Sequence, residues 1–220
     1  MKFQAPESLS EQIAQHVGRR IIQGQLRPGE RIQELKVVSE LDVSRGSVRE
    51  ALLILERRHL IRIYPRKGAV VSALTPAMVD ALYDMYAVLL TMLCERLAER
   101  WTDEGLKQVL AQVAQVQAAV ARGAPADDII QAGFGVMGVG YALVGNPYLE
   151  ETLENLRPAI SRTYHLSIRH SAASATVHTQ HFFEALVAAV VARDKGRIGQ
   201  TIQAFAAQQR ETVLAALAPH

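Results

Sequence analysis

Val43-Ser44-Arg45-Gly46-Ser47-Val48-Arg49-Glu50-Ala51-Leu52 is the stretch on which the fold turns. Ser44 is a residue type that caps helices well, because its hydroxyl can accept from a free backbone N–H of the first turn. Behind it Val48, Ala51, Leu52 and Leu55 recur at i, i+3, i+4 and i+7, which predicts one buried helical stripe. Arg45 and Arg49 are four apart and share a different, exposed face. A helix that enters the DNA major groove needs short polar groups at its N-terminus and cations along an outer face. Ser44 and Ser47 can donate to phosphate, where the helix N-terminus adds its own N–H groups. Arg45 and Arg49 can each form a bidentate pair with guanine O6 and N7. Gly46 lets the backbone approach closely. An amphipathic surface helix with solvated arginines has the same pattern, so the neighbouring elements decide.

On the N-terminal side, Asp42-Val43 makes a tight turn after a short helix over about 34–41, with Leu35, Val38 and Leu41 expected to face inward. Leu26-Arg27-Pro28-Gly29 is a turn, because Pro and Gly set turn geometry. A first helix begins near Ser8, where Ser8 and Glu11 have the spacing of a capping box. Its Leu9, Ile13, Val17 and Ile21 are expected along one face, and Gly24 ends it. On the C-terminal side, two β-like runs, 60–64 and 69–71, are joined by Pro65-Arg66-Lys67-Gly68, a four-residue hairpin turn. The tip residues Arg66, Lys67 and Gly68 can enter a minor groove or lie on phosphates. Three helices followed by a basic-tipped hairpin describe a winged helix-turn-helix, expected over 1–74.

Charge divides at the same place. Residues 1–74 hold 13 Lys+Arg against 8 Asp+Glu, a net of +5, and residues 75–220 a net of −3, consistent with +2 for the chain. A basic first third on a mildly acidic remainder suits a nucleic-acid module joined to a second domain. Thr75-Pro76 signals a new helix, with a cap and Pro at the first position. From there helices are expected at about 76–101, 103–122, 126–144, 147–170, 175–193 and 195–217, with start signals at Thr102-Asp103-Glu104, Asn146-Pro147 and Ser174 or Thr176. The fold class expected is mainly α: a winged helix-turn-helix, then an all-α bundle of six helices over 75–220.

With 49% hydrophobic and 21% charged residues, the chain can build a core without staples. One cysteine, Cys94, excludes an intrachain disulfide and suits a reducing compartment. The N-terminus MKFQAPESLSEQIAQ lacks the apolar run of a signal peptide. No stretch approaches the roughly 20 uninterrupted apolar residues of a membrane span. A cytoplasmic protein with no membrane partner is the expectation.

Three ordered blocks are similar to those of the GntR family of bacterial regulators. They are Gly24-Gln25-Leu26-Arg27-Pro28-Gly29-Glu30-Arg31-Ile32, then Val43 to Leu52, then Pro65-Arg66-Lys67-Gly68-Ala69-Val70-Val71. The resemblance implies a double-stranded DNA operator as partner, contacted by Ser44, Arg45, Ser47, Arg49 and Gly68. Where the family often carries a basic residue, Leu35 stands, and only the neighbouring Lys36 can substitute. Residues 76–217 resemble the effector domain of the FadR-like branch, called FCD, through Gly145-Asn146-Pro147 with Leu149, and Ala189-Val190 before Arg193-Asp194. Six helices point to the shorter, VanR-like form. Such domains sense small molecules and hold a homodimer.

Many members of that branch bind a divalent metal through one Asp and three His. Counting from Gly145-Asn146 and from Arg193-Asp194, the four slots fall here on Gly133, Met137, Phe183 and Phe205. None suits a hard or borderline metal, so neither a metal nor another cofactor is expected. His178 and His181, three apart, read as ordinary histidines, since His181 lies about 200° around the helix from Phe183. The effector pocket is expected to be lined by Tyr86, Met137, Tyr141, Phe183 and Phe205 and to take an apolar or aromatic ligand, with Tyr86 or Tyr141 as polar handle. The two phenylalanines filling the cavity as core is the plainer alternative.

Gly133-Phe134-Gly135-Val136-Met137-Gly138 matches G-x-G-x-x-G, but a dinucleotide site needs a preceding strand and a βαβ unit, and neither is legible. Close helix approach, a helix break, or room for a ligand remain as accounts of these glycines. No nucleophile, base and acid converge, so an enzyme is not expected. The competing readings are a constitutive DNA-binding dimer with a degenerate pocket and, further off, a metal- or nucleotide-dependent enzyme on the bundle.

Overall fold

The computed structural model describes residues 8–218, apart from the side chains of 172–176. Residues 1–7, read above for a leader, and the side chains of Ser174 and Thr176, read as helix-start signals, lie outside the described residues. The chain forms two compact units. The first contains the residues up to Leu74 together with Asn155–Arg162, and the second Thr75–Glu154 and the residues from Thr163 onward.

In the first unit, α1 (Leu9–Ile22), α2 (Glu34–Leu41) and α3 (Arg45–Arg57) precede the hairpin β1 (Ile61–Tyr64) and β2 (Gly68–Val71). Ser8 caps α1, its side chain accepting the Glu11 N–H. Val17 and Ile21 of α1 pack with Val48, Leu52 and Leu55 of α3 and with Leu60, Ile61 and Val71 around the hairpin. Gly18 allows that approach: a Cβ there would stand 3.2 Å from Leu55 and 3.3 Å from Leu60. The hairpin is antiparallel, with Ile61 opposite Val71 and Tyr64 opposite Gly68. The α1–α2 loop adds backbone pairing to it, Ile32 N–H donating to Ala69 and Val71 N–H to Glu30, each at 2.9 Å.

Two inward assignments are corrected. Leu9 is 49% and Leu35 60% exposed. A four-residue step overshoots a full turn by 40°, so Leu9 lies 120° around the helix from Ile21. In α2 the buried residue is Val37, and Leu35 lies about 200° from it.

In the second unit, α4 (Pro76–Arg100), α5 (Asp103–Ala121), α6 (Ala126–Val144), α7 (Pro147–His170), α8 (Ala172–Val191) and α9 (Lys195–Leu217) make six helices among the described residues. Three starts follow the expected caps, Thr75, Thr102 and Asn146 each accepting an N–H of the first turn, and Asp194, not foreseen as a cap, does the same for α9. α8 begins three residues earlier than expected. α4 and α9 run antiparallel, pinned at one end by Lys195–Glu99 (2.5 Å) and at the other by Arg210 against Asp84 (2.5 Å) and Asp80 (3.3 Å). α4 is long and apolar enough to cross a membrane by length and composition alone. Its Tyr83, Leu90, Leu93 and Leu97 are core residues of the unit, and Asp80, Asp84 and Glu95 interrupt its apolar run. α7 belongs to both units, with Asn155–Arg162 in the first and the residues from Thr163 in the second. In the first, Arg162 is 5% exposed and donates from Nη1 to the Ser72 carbonyl at 2.8 Å. Burial lowers its guanidinium to about 10, so it stays cationic at neutral pH.

Candidate nucleic-acid interface and effector cavity

Ser44 caps α3 from extended backbone, accepting the Ser47 N–H at 3.0 Å, and its hydroxyl lies 2.9 Å from that of Ser47. That cap sets the first turn of α3 on the surface. Arg45, Gly46 and Arg49 are exposed, while Val48, Ala51, Leu52 and Leu55 are buried as the spacing required. Arg49 is not free: its Nε lies 3.3 Å from Glu34 Oε2 of α2. Lys36 is exposed and sits 3.8 Å from Glu40, which also pairs with Arg20 at 3.0 Å.

At the hairpin tip Arg66 and Lys67 are exposed, and both Arg66 (φ 66°) and Gly68 (φ 76°) are left-handed. Glycine adopts that conformation without steric cost, which accounts for Gly68. Pairing starts at Gly68, so three residues rather than four form the connection. Arg31 was missed by the sequence reading. It bridges Val70, and its guanidinium stands 3.8 Å from where a Gly68 Cβ would be. The signal lay in Gly29-Glu30-Arg31-Ile32, where Ile32 is buried and Arg31 alternates outward.

The second unit encloses a cavity of about 120 Å³. Tyr86 of α4, Met137 of α6, Phe183 of α8 and Phe205 of α9 all line it, as does Gly133. The four slots counted in the sequence, Gly133, Met137, Phe183 and Phe205, therefore line one space, where they present a glycine hydrogen, a thioether and two phenyl rings. Tyr141 is corrected: it is 5% exposed but lies outside the lining. At that level Gly140 faces the cavity, and the next residue is turned about 100° away.

Phe182, not foreseen, stacks on Phe205 at 4.0 Å between centroids, and Tyr164 meets Phe205 at 6.3 Å. Phe182 escaped because it neighbours Phe183 in sequence and only one was assigned inward. Tyr86 donates to Met137 Sδ at 3.2 Å. Burial raises the Tyr86 and Tyr164 phenols above their ordinary value, and Tyr141 and Tyr86 respectively raise them further. Burial likewise pushes the Cys94 thiol up to about 12. Among the described residues no charged side chain lines the cavity. Two residues of the lining, Ser167 and Gln209, have a polar atom, Oγ and Oε1 respectively, buried without a hydrogen-bond partner among the described residues. Leaving such an atom unsatisfied costs roughly 1–3 kcal/mol.

α6 is continuous through its glycines. That removes the helix break from the three accounts of them. Gly133 and Gly140 line the cavity, and a Cβ at Gly135 would stand 3.1 Å from Gln112 Oε1. His178 Nε2 lies 2.6 Å from the Gln208 amide nitrogen.

Residues 9–71 match the model of bacterial regulatory proteins of the gntR family, and residues 81–208 that of the FCD domain. The chain belongs to the GntR family of bacterial regulatory proteins, in the form that carries an FCD domain. It is 36% identical over 88 residues to the gluconate operon transcriptional repressor of Bacillus licheniformis, covering 40% of this chain and 36% of that protein. It is 27% identical over 130 residues to the uncharacterized HTH-type transcriptional regulator YdhC of Bacillus subtilis (strain 168), covering 59% and 58%. The chain thus spans less than two thirds of the length of these curated relatives. Its fold is shared with E. coli McbR/YncC (TM-score 0.78, 22% identity, 96% of this chain and 99% of that one). It is also shared with a putative transcriptional regulator GntR from Rhodococcus sp. RHA1 (TM-score 0.71, 20% identity, 95% and 99%).

Proposed function

We propose that this chain is a cytoplasmic transcription repressor that binds an operator as a homodimer and releases it in response to a small molecule. Residues 1–74 read DNA, and residues 75–220 sense the effector and hold the dimer. The observation that carries the reading is the exposed N-terminal turn of α3, with Ser44, Arg45, Ser47 and Arg49, on a chain of the GntR family. Base contacts come from Arg45 and Arg49. Lys36, Ser44, Ser47, Arg66 and Lys67 bind phosphate and set the register, and Gly46 and Gly68 allow close backbone approach. Repression rather than activation is favoured by the gluconate operon repressor among the relatives.

The sensing half rests on the cavity at the four slot positions. It holds no metal in this account, because glycine and phenylalanine offer no donor and a thioether prefers soft ions. Elemental analysis is expected to find no stoichiometric Zn, Ni or Mn after dialysis, and a bound ion that raises the melting temperature would contradict this. Catalysis is not part of the reading. Among the described residues the one thiol lining the cavity is that of Cys94, which stays protonated with a value of about 12. α7 supplies a route to the DNA-binding unit: it carries Tyr164, Ser167 and Ile168 at the cavity and Arg162 on the Ser72 carbonyl. A ligand that biases α7 changes the separation of the two DNA-binding units in the dimer, and with it their fit to half-sites about one helical turn apart.

A second reading, a constitutive DNA-binding dimer, is favoured by Phe205 and Phe182 stacked where a ligand would sit. Titration of small aromatic compounds against the protein–operator complex separates the two. The sensor reading expects release by at least one, and the constitutive reading expects none.

A further inference from the structure

The geometry points to a neutral, single-ring aromatic effector whose hydroxyl or ring N–H is recognised by Gln209 and Ser167. This rests on the sensing half of the proposed function and names the chemistry of its ligand.

Three observations carry it. The first is size: a cavity of about 120 Å³ is close to the roughly 150 Å³ that accommodates benzene in an engineered apolar cavity. The second is charge. With no charged side chain in the described lining, an ionised ligand would enter a desolvated space with nothing to compensate it. The tyrosines cannot help as anions, since burial holds Tyr86 and Tyr164 neutral. Carboxylates are therefore excluded on electrostatic grounds.

The third is polarity. Ser167 of α7 and Gln209 of α9 belong to the lining, and their Oγ and Oε1 are left buried and unpartnered among the described residues. Ser167 is 1% and Gln209 4% exposed, so bulk water does not serve them. Each stands one helical turn beyond an aromatic residue of the lining, Ser167 after Tyr164 and Gln209 after Phe205, and those rings lie 6.3 Å apart. An amide oxygen only accepts, so the ligand must donate to Gln209. A serine hydroxyl donates or accepts. A phenolic hydroxyl meets both demands, while its ring packs on the Phe182 and Phe205 faces.

Phenol and toluene are nearly isosteric and differ in that hydroxyl, and benzoate adds a charge. Binding of each to the full chain is measured by calorimetry and by shift of the melting temperature. Phenol is expected to bind about tenfold more tightly than toluene, the discrimination that one hydrogen bond to a buried acceptor gives, and benzoate is expected not to bind. Gln209→Met and Ser167→Ala are expected to weaken phenol about five- to tenfold each and leave toluene unchanged. Both variants remove an unsatisfied polar atom, so neither should melt below wild type. If a variant fails to fold, the three-ligand comparison on the wild-type protein still decides. Toluene binding as tightly as phenol, or benzoate binding at all, overturns the inference and leaves the sensor reading standing. Absence of binding by all three overturns the inference, and the sensor reading falls with it when no small aromatic compound releases the operator.

Discussion

Arg45 and Arg49 lie one turn apart on the exposed face of α3 but are not equivalent. Arg49 is held 3.3 Å from Glu34, whereas Arg45 is exposed and carries no ion pair among those described. Arg45→Ala is expected to weaken operator binding by about 1–3 kcal/mol, the worth of one good bidentate base contact. Arg49→Ala is expected to cost less, because its ion pair must first be released. An exposed pair of this kind is worth about 0–1 kcal/mol. Glu34→Gln should therefore tighten binding by no more than that, by freeing Arg49 and removing a negative charge near phosphate. Anisotropy titrations at fixed salt check all three, and wild-type affinity in both arginine variants would remove α3 from the interface. In the second unit, Cys94 gives an independent check of burial. With its thiol pushed up to about 12, it is expected to react slowly with a thiol reagent at pH 8 and fully once the protein is unfolded. Fast native labelling would show the cavity wall to be open. Residue identity was legible in sequence where a cap or a counted motif placed it, as with Ser44 and the four slot positions. It was not legible for the Glu34–Arg49 pair, which depends on how α2 packs against α3, or for Ser167 and Gln209, whose Oγ and Oε1 matter because they lack a partner among the described residues.

Helix α4 presents Met78, Met85, Val88 and Met92 outward as exposed large hydrophobics. Their spacing of seven, three and four is that of a coiled-coil seam, and a second copy of this chain is the occupant that the proposed homodimer supplies. Met85→Glu combined with Val88→Glu is expected to give a monomer at micromolar concentration by sedimentation, with DNA affinity falling as the second half-site is lost. A variant that remains dimeric would move the interface elsewhere. Within α6, Gly138 has nothing within 4 Å of a Cβ position, whereas at Gly135 the Gln112 amide stands 3.1 Å away. Gly138→Ala is expected to stabilise the protein by up to about 1 kcal/mol through helix propensity. Gly135→Ala is expected to gain less, since Gln112 must move. Melting curves of the two compare them directly. Elements were the most legible level. Six helices of the second unit and three of the first follow from caps and apolar periodicity, with ends shifted by a few residues. What failed was the face of short helices: with two turns in α2, Leu35, Val38 and Leu41 look like a stripe, yet Leu35 and Leu41 lie 120° apart.

At the level of the molecule, the sequence suggests a boundary near residue 74 through a change of charge and a Thr-Pro helix start, and the compact units divide between Leu74 and Thr75. That Asn155–Arg162 group with the first unit was not visible, because nothing in a continuous amphipathic helix marks where its partners change. Arg162→Ala is expected to leave effector binding intact while weakening its effect on DNA affinity, since it removes the bond from α7 to the Ser72 carbonyl. Calorimetry with the effector and anisotropy with the operator, on the same preparation, separate the two quantities. The account as a whole stands on one claim, that a dimer of this chain reads a specific duplex through α3. Selection of bound sequences from a random duplex library by the full-length protein tests it most directly. The expected result is enrichment of a two-fold-related motif with half-sites about 10 base pairs apart, lost in Arg45→Ala and weakened as salt rises. A library that emerges unenriched, or enriched equally by Arg45→Ala, would contradict it.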